Sequence, residues 1–343
     1  MSQATSKSCA ITDPFSDLPP YRDPRTGFLS HLPTSWVPFA QLMRLEKPTG
    51  FYYFYFPHLF GTLQAATLLK AGLPHLLRAN LIFAVGTIFL RGAACTWNDA
   101  IDAPFDRLVV RCRNRPVARR AISPLVAYVF TAVQSLIAFA LLSQLPPICF
   151  LYSLPAVAMW AFYPLAKRVT DYPQAVLGFA MAWGVIMGEI AMGVDLFNLE
   201  CIKARTGLPT ASLKGAIGCL FAANVTWPLV YDTIYGHQDA KDDAKAGVKN
   251  IVLACRGNTM PLLAKMIIMQ TLFLAMAGLL TGAGLMYFLL SVIGAAITMT
   301  VMVSSVDFDS PPSCLWWFQK GCWLTGGTIA SGLYLEYKRF VGI

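Results

Sequence analysis

The sequence predicts an all-α, polytopic membrane protein, and three observations carry that prediction. Of its 343 residues 56% are hydrophobic and only 13% charged, against about 25% charged in ordinary soluble domains. Apolar runs of about 20 residues recur along the chain, each the length a helix needs to cross hydrocarbon. The charged residues gather mostly between those runs.

Nine runs qualify, at roughly 49 to 70, 79 to 98, 122 to 143, 147 to 166, 174 to 195, 212 to 231, 260 to 280, 284 to 304 and 322 to 340. Residues 1 to 40 are polar and dotted with Pro and Asp, and read as a disordered cytosolic arm. Residues 41 to 343 read as one transmembrane domain. The arm lacks the apolar core of a secretory signal. Its first Arg is Arg22, unlike the Arg-rich, acid-poor composition of a mitochondrial presequence. Most Lys and Arg fall on the face bearing this arm and the loops after the second, fourth and sixth runs, so that face is expected in the cytosol. The net charge of +9 then serves orientation and an anionic ligand rather than nucleic acid, and no protein partner is implied.

The second run leads into Asn98-Asp99-Ala-Ile-Asp102-Ala-Pro-Phe-Asp106. Asn98, Asp102 and Asp106 recur every fourth residue and share a helix face. Carboxylates crowded at the end of a membrane helix repel one another and resist desolvation, so they call for a cation, best a hard divalent ion. Arg91, set among apolar residues, is costly there and is expected to face a polar cavity or to pair with these carboxylates. Arg44 and Lys47 precede the first run; they suit either interfacial snorkelling or contact with a ligand. The loop after the stripe is basic, and Arg107, Arg111 and Arg115 are candidates for bidentate pairing with phosphate. The fourth run ends in Tyr163 and Lys167, four apart, so that phenol and ammonium point the same way.

The sixth run delivers a second acidic cluster, Asp232, Asp239, Asp242 and Asp243, with Tyr235 and Lys245 among them. Asp232 and Asp239 are seven apart, two helical turns, and are expected on one face. Two Asp-rich helix ends suit Mg²⁺, which is held by one or two carboxylates together with substrate phosphate. The seventh to ninth runs read as scaffold and cavity wall, and Glu189 in the fifth stands as an isolated buried acid. Nine cysteines show no CxxC pair, which leaves out a zinc site or disulfide framework.

Taken together, Arg91-Gly-Ala-Ala-Cys-Thr-Trp-Asn98-Asp99-x-x-Asp102-x-x-x-Asp106, Arg113-Asn-Arg115-Pro116, Tyr163-Pro-x-x-Lys167-Arg and Tyr231-Asp232-Thr-x-Tyr235-x-x-x-Asp239-x-x-Asp242-Asp243-x-Lys245-x-Gly247-x-Lys249 resemble the UbiA superfamily of intramembrane prenyltransferases. The 4-hydroxybenzoate polyprenyltransferase branch is the most similar, with likeness also to fungal enzymes that prenylate phenolic acids. Arg115-Pro116-Val-Ala-Arg119 departs from the Arg-Pro-Leu-Pro-Ser-Gly common in relatives. The resemblance implies helices around a central, lipid-open cavity, with Mg²⁺ on Asp102, Asp106, Asp232 and Asp239. It implies that Lys167 and the loop arginines hold a prenyl diphosphate. Arg44, Arg91, Asn98, Tyr163, Tyr235, Asp243 and Lys245 are the further candidates for substrate contact.

The expected activity is Mg²⁺-dependent transfer of a prenyl group, most simply farnesyl, to a ring carbon of an orsellinic-type phenolic acid in meroterpenoid synthesis. The setting is a multi-pass protein of the endoplasmic reticulum or another endomembrane, with its active site toward the cytosol. The rival within the fold is the 4-hydroxybenzoate polyprenyltransferase of ubiquinone synthesis. A cation transporter using intramembrane Asp is the rival of another class.

Overall fold

The computed structural model describes residues 21 to 342 except 22, 23, 248 and 256; the expected arm therefore lies outside the described residues as far as residue 20. Among the described residues nine helices run 19 residues or longer. They are α1 (Thr49–Leu69), α2 (Leu73–Asp106), α3 (Pro124–Leu142), α4 (Ile148–Val169), α5 (Pro173–Ala191), α6 (Thr210–Gly236), α7 (Thr259–Thr281), α8 (Leu285–Ser305) and α9 (Pro311–Val341). Seven have the length and apolar composition of a membrane span. α1 and α9, with 21 and 31 residues, are long enough but more polar, because α1 carries His58 and Gln64 and α9 carries Lys320, Glu336 and Lys338. The protein is integral to a membrane.

Burial sorts the helices into inner and outer. In their most apolar stretches α5 and α6 are 72% and 61% buried, whereas α3 and α4 are 11% and 17% buried. α5 and α6 therefore form the interior with α1, and α3 and α4 turn their apolar surfaces outward. Small residues permit the inner packing, as is usual where helices meet in lipid. A Cβ at Gly188 of α5 would lie 2.5 Å from the His58 carbonyl oxygen and 2.6 Å from the Thr62 nitrogen of α1. One at Gly178 would lie 2.7 Å from the Val225 carbonyl oxygen of α6.

Two helix ends differ from the expectation. α2 is one helix of 34 residues that continues through Pro104 to Asp106, so the acidic stripe is helical throughout. α6 stops at Gly236, and Asp239 instead precedes a separate short helix, Ala240–Ala246. Asp232 and Asp239 thus do not share a continuous helix face. Gly236 and the turn that follows break the run, since Gly is the weakest helix former after Pro. Val37–Leu42, just before α1, is also helical and packs beside α2.

Replacing Gly188 by Ala is expected to push α1 away from α5 at a backbone contact that cannot rotate aside. The overpacking should cost about 1–3 kcal/mol, read as a lower apparent Tm of the detergent-solubilised protein, while Ala at Gly86, which meets nothing within 4 Å, should not lower Tm and should raise it slightly through its better helix propensity.

Candidate active site

A chamber of about 810 Å³ opens where the ends of α2, α4 and α6 converge. Asp99, Asp102 and Asp106 of α2 enter it at 1%, 5% and 6% exposure, too buried to remain charged without partners. Each has one. Arg44 Nη2 donates to both oxygens of Asp99, at 2.6 and 2.8 Å. Arg115 Nη1 lies 2.9 Å from Asp106 and 3.3 Å from Asp99. Lys167 Nζ donates to Asp102 Oδ2 at 2.8 Å and to Asn98 Oδ1 at 3.3 Å. Burial works against the Arg44 and Arg115 charges, but their carboxylate partners outweigh it and raise both pKa values.

The second acidic cluster reaches the same chamber. Arg111 Nε donates to Asp239 Oδ1 at 2.8 Å, its Nη2 to Asp239 Oδ2, and its Nη1 to the Tyr235 hydroxyl at 2.6 Å. One guanidinium from the loop after α2 thus grips the segment after α6 and ties the two acidic ends together. The Asp239 carboxylate, taken by Arg111, makes no cap bond to the short helix behind it. Asp232 lines the chamber beside Gln174, whose Oε1 accepts from the Ile251 N–H at 3.1 Å. Asn250 Nδ2 donates to Asp243 Oδ2 at 2.7 Å; burial nonetheless pushes the Asp243 carboxyl up to about 6. Lys167 Nζ lies 5.0 Å from the centroid of the Tyr163 ring, and the Arg111 guanidinium 4.8 Å from that of Tyr235, within cation–π range.

Several residues stand where spacing alone does not put them. Arg91 lines the chamber but pairs with no carboxylate. Its guanidinium donates to the carbonyls of Arg44 at 3.1 Å and Lys47 at 2.7 Å, so it shapes the segment that presents those two cations. Arg44 there has φ +56°. Arg107 is not on the chamber wall, because its Nε turns to the Ala118 carbonyl at 3.1 Å. Lys245 is exposed on Ala240–Ala246 and is also absent from the wall. Arg119, where the loop departs from the family pattern, donates to Gln41 at 2.9 Å and covers the Tyr21 ring at 3.7 Å.

Two features escape the pattern of every fourth residue. Asp99 is the most buried of the stripe and anchors two arginines; Asp99, Asp102 and Asp106 follow the i, i+3, i+7 spacing of a helix face, which was the available signal. The second is an apolar pocket of about 500 Å³ that shares Phe54, Ala94, Trp160 and Met181 with the chamber. Phe54 and Trp160 stack between the two at 4.5 Å and 14°.

The wall carries eight basic side chains, Arg44, Lys47, Arg91, Arg111, Arg115, Lys167, Arg168 and Lys249, against seven acidic ones, Glu46, Asp99, Asp102, Asp106, Asp232, Asp239 and Asp243. An excess of one cannot balance a multiply charged anion, so such a ligand needs further cations. The hard oxygen donors suit Mg²⁺, although among the described residues no three His, Cys, Asp or Glu are grouped closely enough to hold a metal unaided. They fit a metal that arrives sharing its coordination with a phosphate ligand.

A model of the UbiA prenyltransferase family matches residues 55–325. The prenyltransferase ascA of Acremonium egyptiacum is 36% identical over 293 residues, 85% of this chain and 84% of its own. The mitochondrial 4-hydroxybenzoate polyprenyltransferase of Saccharomyces cerevisiae is 36% identical over 313 residues, 90% of this chain and 77% of its own. The structure of a UbiA homologue from Archaeoglobus fulgidus bound to GPP and Mg²⁺ superposes with a TM-score of 0.60 at 18% identity, covering 89% of this chain and 100% of that one.

Because folding raises the Asp243 pKa, the favourable contribution of its protonated form is present at low pH and is lost as the pH rises through about 6. Asp243→Asn should therefore raise Tm relative to wild type at pH 7.5, with the difference shrinking below pH 6 and vanishing only near pH 4, under the ordinary carboxyl value, as read by thermal unfolding across that range.

Proposed function

The chain belongs to the UbiA prenyltransferase family, and from that premise we propose that it transfers a farnesyl group from its diphosphate to a ring carbon of an orsellinic-type phenolic acid. The observation that carries this reading is the meeting of two acidic helix ends and interleaved cations in one chamber, with an apolar pocket behind a shared aromatic wall.

Asp102, Asp106, Asp232 and Asp239 are the carboxylates to hold Mg²⁺ together with the diphosphate. When bound, the metal supplies positive charge to the leaving group. Lys167, Arg111 and Arg115, paired with carboxylates of that set, are the groups to turn toward phosphate oxygens. Breaking the allylic C–O bond sends its electron pair to the diphosphate and leaves a delocalised cation. Cations fixed in a chamber of low dielectric stabilise the charge as it develops. The rings of Tyr163, Tyr235, Phe54 and Trp160 line the chamber and are the surfaces to shield that cation from water. The electron-rich ring of the acceptor attacks it, a C–C bond forms, and the ring proton leaves to diphosphate or water. Arg44, paired with Asp99 and presented by Arg91, and Lys47 are further cations of the chamber, available to anionic groups of the substrates.

The basic-rich face bears the chamber, so by the positive-inside rule it faces the cytosol, and the membrane is that of the endoplasmic reticulum or another endomembrane. The likeness to the prenyltransferase ascA agrees with prenyl transfer and leaves the acceptor open. The yeast relative, equally similar at 36%, favours a second reading, polyprenyl transfer to 4-hydroxybenzoate.

Membranes from a host expressing the chain, incubated with geranyl, farnesyl and longer diphosphates against orsellinate and 4-hydroxybenzoate, test both readings by product mass. Farnesyl orsellinate supports the first and polyprenyl hydroxybenzoate the second; no transfer from any pair would remove both. Asp102→Asn and Asp239→Asn are each expected to lower the rate by about 10²-fold or more with Tm retained, and chelation of Mg²⁺ should abolish wild-type transfer reversibly.

A further inference from the structure

Among the polar groups on the wall of the apolar pocket, which include Thr87 and Trp160, His58 presents a ring nitrogen that the described residues leave without a donor. His58, one helical turn beyond Phe54 on α1, is 9% exposed and lines this pocket, its ring 4.5 Å from that of Phe83. His58 Nδ1 lies 2.8 Å from the Phe54 carbonyl oxygen. A carbonyl only accepts, so Nδ1 carries the proton and, in the neutral ring, Nε2 is left as an acceptor. Nε2 has no hydrogen-bond partner among the described residues.

Five other polar side chains of the wall are bonded within the protein. The hydroxyls of Thr131, Ser135 and Ser153 donate to carbonyls of their own helices. The indole N–H groups of Trp97 and Trp183 donate to the carbonyls of Ala161 and Tyr152. Burying an acceptor with nothing to bond it is unfavourable, and a hydrocarbon tail in this pocket would leave His58 unsatisfied. A ligand hydroxyl would satisfy it. Gly184 leaves room for the ring, since a Cβ there would stand 2.8 Å from Nδ1.

From this we infer that the apolar pocket is the acceptor's compartment, and that His58 Nε2 accepts a hydrogen bond from its phenolic hydroxyl. The inference rests on the aromatic prenyltransferase reading for the identity of the ring, and the polar group it explains belongs to no step described above. The ring lies against Phe54 and Trp160, the stacked pair that also faces the chamber. His58 is thus a specificity-determining residue that selects for a free hydroxyl.

Two readouts test it. In the first, quenching of tryptophan fluorescence measures binding of 4-hydroxybenzoate and its 4-O-methyl ether to the purified protein. Wild type is expected to bind the phenol about tenfold more tightly, the scale of one buried hydrogen bond. His58→Leu should lose that preference, and His58→Asn, which keeps an acceptor oxygen, should retain part of it. If His58→Leu does not accumulate, His58→Phe, which keeps the packing on Phe83, carries the same expectation. A preference undiminished in His58→Leu or His58→Phe, or absent from wild type, overturns the inference. In the second, with a donor and acceptor that wild type turns over, His58→Leu should raise KM for the phenolic acid about tenfold and leave KM for the prenyl diphosphate unchanged. A raised donor KM or a changed prenyl chain-length preference would assign the pocket to the tail and overturn it. Selective phenol binding without transfer from any donor would instead end the prenyltransferase reading and leave the His58 site standing.

Discussion

The structure depends on keeping three carboxylates charged inside a membrane protein. Asp99, Asp102 and Asp106 lie on the last two turns of one helix, almost wholly out of water. Their mutual repulsion and desolvation would unfold that end of the helix if each lacked a cation at hydrogen-bonding distance. The cations come from other parts of the chain: Arg44 before α1, Arg115 in the following loop and Lys167 at the end of α4. Compensating the charge therefore fixes where those segments go. The chamber is the space left between groups that must reach one another.

Such pairing also sets the chemistry available. A buried ion pair contributes little net stability, but its members are already desolvated and already positioned. In the reaction proposed above, these are the carboxylates to share a metal and the cations to receive phosphate oxygens. The charges on the wall are nearly balanced, so a polyanion held there needs a countercharge of its own.

Much of this was legible in the sequence, for physical reasons that differ from residue to residue. Asp102, Asp106, Asp232, Asp239 and Lys167 stand out because ionised groups beside membrane-length apolar runs are costly and need an explanation. The long helices follow from hydropathy, and the chamber is lined from both acidic helix ends as the motifs implied. What spacing does not encode is the direction of a side chain beyond the end of a helix. Arg107 turns to the Ala118 carbonyl and Lys245 to the surface, although their neighbours Arg111 and Asp243 line the chamber. Nor did counting two turns from Asp232 allow for the break at Gly236. His58 was invisible for another reason: in a run of aromatic residues a histidine resembles one more ring, and its pocket is built by helices distant in sequence.

The tie between Arg111 and Asp239 carries a consequence for how the protein is made. The first acidic end is neutralised by residues up to Lys167, so a nascent chain paused after four helices already has these charges compensated within itself. Asp239 is different: its partner stands 128 residues earlier in the chain, so this charge has no counterpart until the sixth helix and the segment behind it have been made. The clasp joins the later part of the polypeptide to the earlier one, and a chain ending ahead of it would carry only half of the site.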